Sequence, residues 1–280
     1  SRGCARRCRF CQAGFTYRPF RERDEAEVMA LALETVQRTG YEDLSLSSLN
    51  VGDYSCLSPL VSRLAASLAD QRTAISLPSL RPVDLADEVI LGIQKVRRPG
   101  LTWAPEAGTA RLRRVISKEV DERVFLESIR RVVEAGWDAV KLYFMIGLPT
   151  ETTEDVRAIA ELCRRVAEAG GKKLRAMHIA VSAFVPKAHT PFQWTGQVGR
   201  EELLRRANIV RDLLRDRRYE VRWHAMEASF LEAVFSRGNR QLCEVVERAW
   251  MLGARFDSWA DQFNYSTWEQ AFADSGVSPE

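Results

Sequence analysis

The chain has 280 residues, 46% hydrophobic and 28% charged, a balance that suits one large soluble domain or two modest ones. Its 41 basic and 38 acidic residues leave a net charge of only +3, too even to argue for a nucleic-acid partner by itself. Six cysteines are too few for a disulfide scaffold, no apolar run reaches the ~18 residues of a membrane span, and no signal peptide is visible.

The chain opens on SRGCARRCRFCQAG, where Cys4, Cys8 and Cys11 share one short loop. Thiolates this close can converge on a metal centre, either an iron–sulfur cluster or a zinc site. Both usually take four ligands, yet the next cysteine is Cys56 and the nearest histidine is His178. Three ligands on a four-iron cluster would leave one iron open to a substrate or cofactor. The spacing also suits a reducing cytosol, so a cytoplasmic protein is expected.

Beyond the loop, short β-type runs alternate with longer helical patterns. Strands are expected at 43–49, 73–77, 101–104, 139–146 and 179–185, and helices near 24–39, 58–70, 83–96, 119–135, 152–169 and 200–217. Thr152 with Asp155 three residues later reads as a helix-start box. This rhythm predicts an α/β fold with a parallel sheet and right-handed crossovers, a partial (β/α) barrel rather than a doubly wound sheet. Composition shifts after about residue 218 to a helical, aromatic-rich tail with Trp223, Trp250, Trp259 and Trp268. The expected division is a core over 1–218 and a helical extension of the same unit over 219–280.

In a barrel the inner face of each strand lines the lumen, and chemistry gathers at the strands' C-terminal ends. Along 139–146, Val140, Leu142, Phe144 and Ile146 suit packing against helices, while Lys141, Tyr143 and Met145 face the other way. Lys141 and Tyr143 are therefore candidate catalytic groups in the lumen. His178 and Ser182 sit on the matching face of the next strand, and Ser45 and Ser47 on the face opposite Leu44 and Leu46.

The set Cys4-x3-Cys8-x2-Cys11, with Phe10 just before the third cysteine, resembles the signature of the radical S-adenosylmethionine (radical SAM) superfamily. WAPEAGTARLRR at 103–114 resembles the end of a core strand where an acidic residue, here Glu106, meets bound SAM. FMIGLPTET at 144–152 resembles the turn that helps hold the adenine. Gly147, Pro149 and Glu151 match that turn, and Thr150 replaces its usual second glycine. SLSSLNVGDYS at 45–55 falls where many members carry Gly-Gly-Glu; that tripeptide is absent, and Ser47 is the candidate there. Arg81 is the candidate partner for the SAM carboxylate. The resemblance thus implies a 4Fe-4S cluster on Cys4, Cys8 and Cys11, reductive cleavage of SAM, and an electron donor such as flavodoxin or ferredoxin.

SLPSLRP, KLYFMIGLPTE, FVPKAHTPFQW and WHAMEASFLEAVFSRGNR narrow the resemblance to a subgroup. Its members typically carry an upstream cobalamin-binding-like domain, and many a small downstream domain of unknown function. The first core strand is expected just before Ser1, so the fold is expected to lack it here. Possible substrates are RNA, as in relatives that attach methylthio groups to tRNA, a peptide or a small molecule. The non-catalytic alternative is a module stapled by zinc or an iron–sulfur cluster. Cys163 and Cys243 read as small hydrophobes, and the arginines of 111–114 and 205–218 as solvated helix faces.

Overall fold

The computed structural model describes residues 1–78 and 86–279. A short helix, α1 (Ala13–Thr16), follows the cysteine loop and leads to α2 (Glu25–Thr39), β1 (Asp43–Ser45), a 3-10 turn at Val51–Asp53, α3 (Leu57–Ser67), β2 (Ala74–Ser76) and α4 (Asp87–Gln94). Next come β3 (Thr102–Glu106), α5 (Ala110–Val115), α6 (Glu122–Glu134), β4 (Ala139–Ile146), α7 (Thr153–Gly170), β5 (Ala176–Ala183), α8 (Arg200–Leu213) and β6 (Tyr219–Trp223). Helices α9 (Met226–Arg237), α10 (Leu242–Met251) and α11 (Tyr265–Asp274) follow.

Local chemistry sets several of these boundaries. Asp24 caps α2 by accepting from Ala26 N–H at 2.9 Å, and Gly40 ends it in the left-handed region at φ 68°. Asp121 caps α6 through the N–H groups of Arg123 and Val124. Thr152 and Asp155 form the expected reciprocal box at the start of α7.

Every strand pairing in the two sheets is parallel. β1 pairs with β2, and a second sheet runs β3-β4-β5-β6. The fold is therefore α/β with parallel strands joined through helices, and the described residues form no closed barrel. Both sheets share one hydrophobic core, in which Leu44 and Ile75 belong with Trp103, Leu142 and Ile179. Val140, Leu142, Phe144 and Ile146 are buried as the alternation predicts, in the same core as Phe125 and Ile129 of α6 and Val156 and Ile159 of α7. At ~1.5–3 kcal/mol for each fully buried large apolar side chain, this face outweighs any propensity term in holding β4.

Some boundaries differ from the sequence reading. The run 43–49 is a strand only to Ser45, and β5 begins three residues before the expected 179 and ends at Ala183. β6 was not expected at all, because Glu220 and Arg222 interrupt its apolar pattern. It adds to the sheet beyond residue 218, in parallel register with β5. The helix expected at 83–96 is described from Asp87; Arg81 and the start of that helix lie outside the described residues. The arginine stretches are not wholly solvated either: Arg113 is 2% exposed and the Arg206 side chain 15%. Cys163 is fully buried, and burial pushes its thiol pKa up to about 12, whereas Cys243 is exposed. The helical tail has its own small core, built from Leu231, Val245, Ala249, Trp268, Ala271 and Phe272.

Candidate active site

The cysteine loop is laid against the C-terminal ends of the second sheet. Arg9 N–H donates to Ile116 O at 2.9 Å and its guanidinium to Val115 O at 3.0 Å, both at the end of α5. Gln12 Nε2 donates to Ala188 O at 3.0 Å, in the segment after β5. Phe10 packs on a small apolar cluster formed by Ala107, Leu148 and Phe184, which directly follow β3, β4 and β5, with Leu112, Ile116 and Phe192. On the other side, Arg6 makes a double hydrogen bond to Asp53 in the 3-10 turn, at 2.9 and 2.5 Å. That bond and the Asp53 charge raise the Arg6 pKa against the lowering by burial. Gly14 lets α1 close on the loop, since a Cβ there would lie 2.2 Å from Arg6 O.

Within the loop Cys8 is buried, Cys4 and Cys11 are half-buried, and Cys11 N–H donates to Cys8 O at 3.0 Å. None of the three is in a disulfide. Among the described residues, no three His, Cys, Asp or Glu side chains converge as a single metal ion needs. A multi-iron cluster makes a different demand, since several thiolates share it. Three thiols on one loop fit that group in their chemistry. By the same geometry they do not form a ready-made zinc site.

The strand-end loops are locked to each other. Pro105 cannot donate to the ladder, and the β3–β4 register shifts between Trp103 and Glu106. Glu106 then takes a left-handed conformation, φ 66°, and its carboxylate accepts from Lys118 Nζ at 2.7 Å. Gly108 passes so close to α7 that a Cβ would lie 2.3 Å from Ile159 N. Thr109 donates to Asp155 at 2.5 Å, and Arg111 bridges Asp155 to Thr150 O, the latter at 2.9 Å. Thr150 has φ 65°, the conformation a glycine would adopt freely, and this arginine contact holds it there. Glu151 is turned inward: it accepts from Gly147 N–H at 2.7 Å and from Arg206 at 2.6 Å. Burial holds the Glu151 pKa above the usual glutamate value, and the Gly147 and Arg206 hydrogen bonds offset only part of that rise.

The structure thus brings the three cysteines, Phe10, Gly147 and Pro149 to one end of the sheet, with Glu106 at the end of β3. Ser47 is exposed and lines a cleft of about 570 Å³ beside Arg2, Arg21 and Tyr54. Lys141 and Tyr143 lie on the face of β4 opposite the buried one, as the alternation predicts. Lys141 is exposed there, its Nζ 4.9 Å from the Tyr143 ring. His178 beside them pairs with Glu220 at 2.5 Å. Sequence reasoning missed Asn50, 7% exposed. Its side-chain N and O, like the buried Ser48 hydroxyl, find no hydrogen-bond partner among the described residues. A lone Asn after a strand carries no local signal for that.

Comparison with known proteins agrees with this arrangement. Residues 1–163 match the family model described as Radical SAM superfamily. An uncharacterised protein of Methanocaldococcus jannaschii is 33% identical over 249 residues, covering 88% of this chain and 52% of the relative. A tRNA-2-methylthio-N(6)-dimethylallyladenosine synthase of Rickettsia felis is 28% identical over 174 residues, covering 59% of this chain and 39% of that enzyme. The chain therefore spans about half the length, or less, of these curated relatives. In fold it is similar to coproporphyrinogen III oxidase of Escherichia coli, a radical SAM enzyme, with a TM-score of 0.55 at 18% identity over 76% of this chain and 50% of that one. The radical SAM methyltransferase TsrM of Kitasatospora setae, solved with cobalamin and a [4Fe-4S] cluster, gives a TM-score of 0.55 at 15% identity over 68% and 37%. No helix among the described residues is long and apolar enough to cross a membrane.

Proposed function

The chain belongs to the radical SAM superfamily and is an enzyme of that class, and from that premise we propose that Cys4, Cys8 and Cys11 hold a 4Fe-4S cluster on which SAM is reductively cleaved. The observation that carries this reading is the cysteine loop seated on the C-terminal ends of β3, β4 and β5, where barrel-type enzymes gather their chemistry. When bound, the cluster supplies the electron that splits the sulfur–carbon bond of SAM to give a 5′-deoxyadenosyl radical.

The chain's own residues bind, orient and exclude water. Phe10 shields the loop from beneath, and Arg6 with Asp53 fixes its far side. Gly147 and Pro149 offer backbone to the adenine, on a turn stiffened by Glu151, Arg206, Arg111 and Asp155. Glu106 faces SAM from the end of β3, with Lys118 fixing its carboxylate. Ser47 and Arg81 complete the proposed SAM contacts. The inner face of β4 and β5, with Lys141 and Tyr143, receives the substrate. The proposed core takes in β6, past the expected limit at 218, and the helices that follow extend the same unit.

A one-electron donor of the flavodoxin or ferredoxin type, in the cytoplasm, completes the reading. RNA is the favoured target because a relative is named for modifying tRNA. Cobalamin is assigned to the upstream domain of the subgroup and to no residue of this chain. Anaerobic reconstitution with iron and sulfide should give iron-dependent visible absorbance that a Cys4/Cys8/Cys11→Ala variant lacks. Calorimetry should show SAM binding only to the loaded protein. Stoichiometric zinc with no affinity for SAM would sink the proposal. For the target, digested RNA from a deletion strain should lack one modified nucleoside, and an unchanged profile would reject RNA.

A further inference from the structure

The inner face of the second sheet carries two charged rows that neither the cluster nor SAM accounts for. The strand register sets Lys141 beside His178 and His178 beside Glu220, and then Tyr143 beside Ala180 and Ala180 beside Arg222. The small Ala180 leaves a notch between Tyr143 and Arg222. The cleft over it is about 530 Å³, room for a small molecule or a single nucleotide but not for a nucleic-acid helix. The one carboxylate of these rows, Glu220, is already committed to His178 and to Arg222. Lys141 has a face of the Tyr143 ring and no acidic partner among the described residues. The rows thus carry one net positive charge with His178 neutral.

We propose that this notch binds a phosphoryl group of the substrate, between Lys141 and Tyr143 on one side and Arg222 on the other. The inference rests on the reading above, in which this face receives the substrate, and narrows that substrate to a phosphate ester. An unpaired Lys141 is harmless in water, but a substrate that dries the cleft must bring the missing counter-charge. A planar carboxylate is satisfied by one arginine fork. Donors that line one cleft from two strands, one a point charge and one a fork, suit the several oxygens of a tetrahedral phosphate better. The ester is either a free nucleotide-sized molecule or one residue of an RNA strand.

Calorimetry on the full chain separates these cases, with cytidine 5′-monophosphate, cytidine as the phosphate-free control, and total tRNA as probes. The monophosphate should bind and cytidine should not. Lys141→Gln and Arg222→Gln should each weaken binding about tenfold, the scale of one charged hydrogen bond. Glu220→Gln should tighten it, because it releases Arg222 and His178; a purely structural role for Glu220 would not strengthen binding. Unchanged melting temperatures exclude misfolding as the cause. If only tRNA binds, and the same variants weaken it, the phosphoryl group belongs to RNA. Failure of both probes to bind, or binding indifferent to both Lys141→Gln and Arg222→Gln, overturns the proposal. Cleavage of SAM is scored separately. A chain that binds phosphate here yet never cleaves SAM refutes the radical reading and not this site, and the converse result refutes only this site.

Discussion

Asp155 accepts hydrogen bonds from Thr109, from Arg111 and from both the backbone and the hydroxyl of Thr152, so one carboxylate caps α7 and ties the β3 and β4 end loops together. Burial alone would raise its pKa, but these donors outweigh burial and hold it below the usual aspartate value. A carboxyl depressed in the folded state stabilises above its unfolded pKa, and that stability is lost as pH falls through the folded one. Denaturant titrations of the parent should therefore lose stability below about pH 4, and Asp155→Asn should flatten that part of the curve. Asp155→Ala should cost about 2 kcal/mol at neutral pH, from the lost cap and the abandoned donors. A cost indistinguishable from zero would mean the loops are held by packing alone. At this scale the three cysteines were legible from spacing, and the inner face of β4 from alternation. The partners Arg6–Asp53, Arg111–Asp155 and Arg206–Glu151 were not. They join ordinary charged residues 47, 44 and 55 positions apart, and nothing local marks such pairs.

Between elements, the contact that matters most for the site is α1 against the cysteine loop. Gly14→Ala would push a methyl into the Arg6 carbonyl, a backbone atom that cannot swing away. The expected cost is ~1–3 kcal/mol, taken mostly by the loop. Iron bound per chain after reconstitution should fall well below the parent, while the circular dichroism of the sheet and its helices stays the same. Full loading of Gly14→Ala would show that the loop tolerates displacement. Element identity followed the strength of the pattern. β4, with four apolar residues in strict alternation, was read to the residue. β6 was missed because its sequence, YEVRW, carries Glu220 and Arg222 on the inner face and Trp223 under the Arg211 guanidinium, a mixture that reads as surface. At α5, six residues with three arginines show no apolar period and read only as a solvated helix face, whereas Arg113 is buried against Ala107 O, Gly108 O and Glu122.

Among the described residues the buried apolar side chains form three clusters: the core shared by the sheets, the strand-end group under Phe10 and the tail cluster around Trp268. Trp268 is largely buried and meets Phe235 edge-on at 5.3 Å. Trp268→Ala should cost the tail ~3–5 kcal/mol. Amide exchange should then speed up across 226–277 and stay slow in β4 and β5 if the tail opens on its own. Equal acceleration in both would make them one cooperative unit. With its cysteine loop on the strand ends, this fold is proposed to cleave SAM. The most direct measurement is 5′-deoxyadenosine by mass spectrometry after anaerobic reconstitution, with dithionite and SAM added. Iron-dependent 5′-deoxyadenosine is expected from the parent and none from the Cys4/Cys8/Cys11→Ala variant. A parent fully loaded with iron, with SAM recovered intact, would overturn that reading.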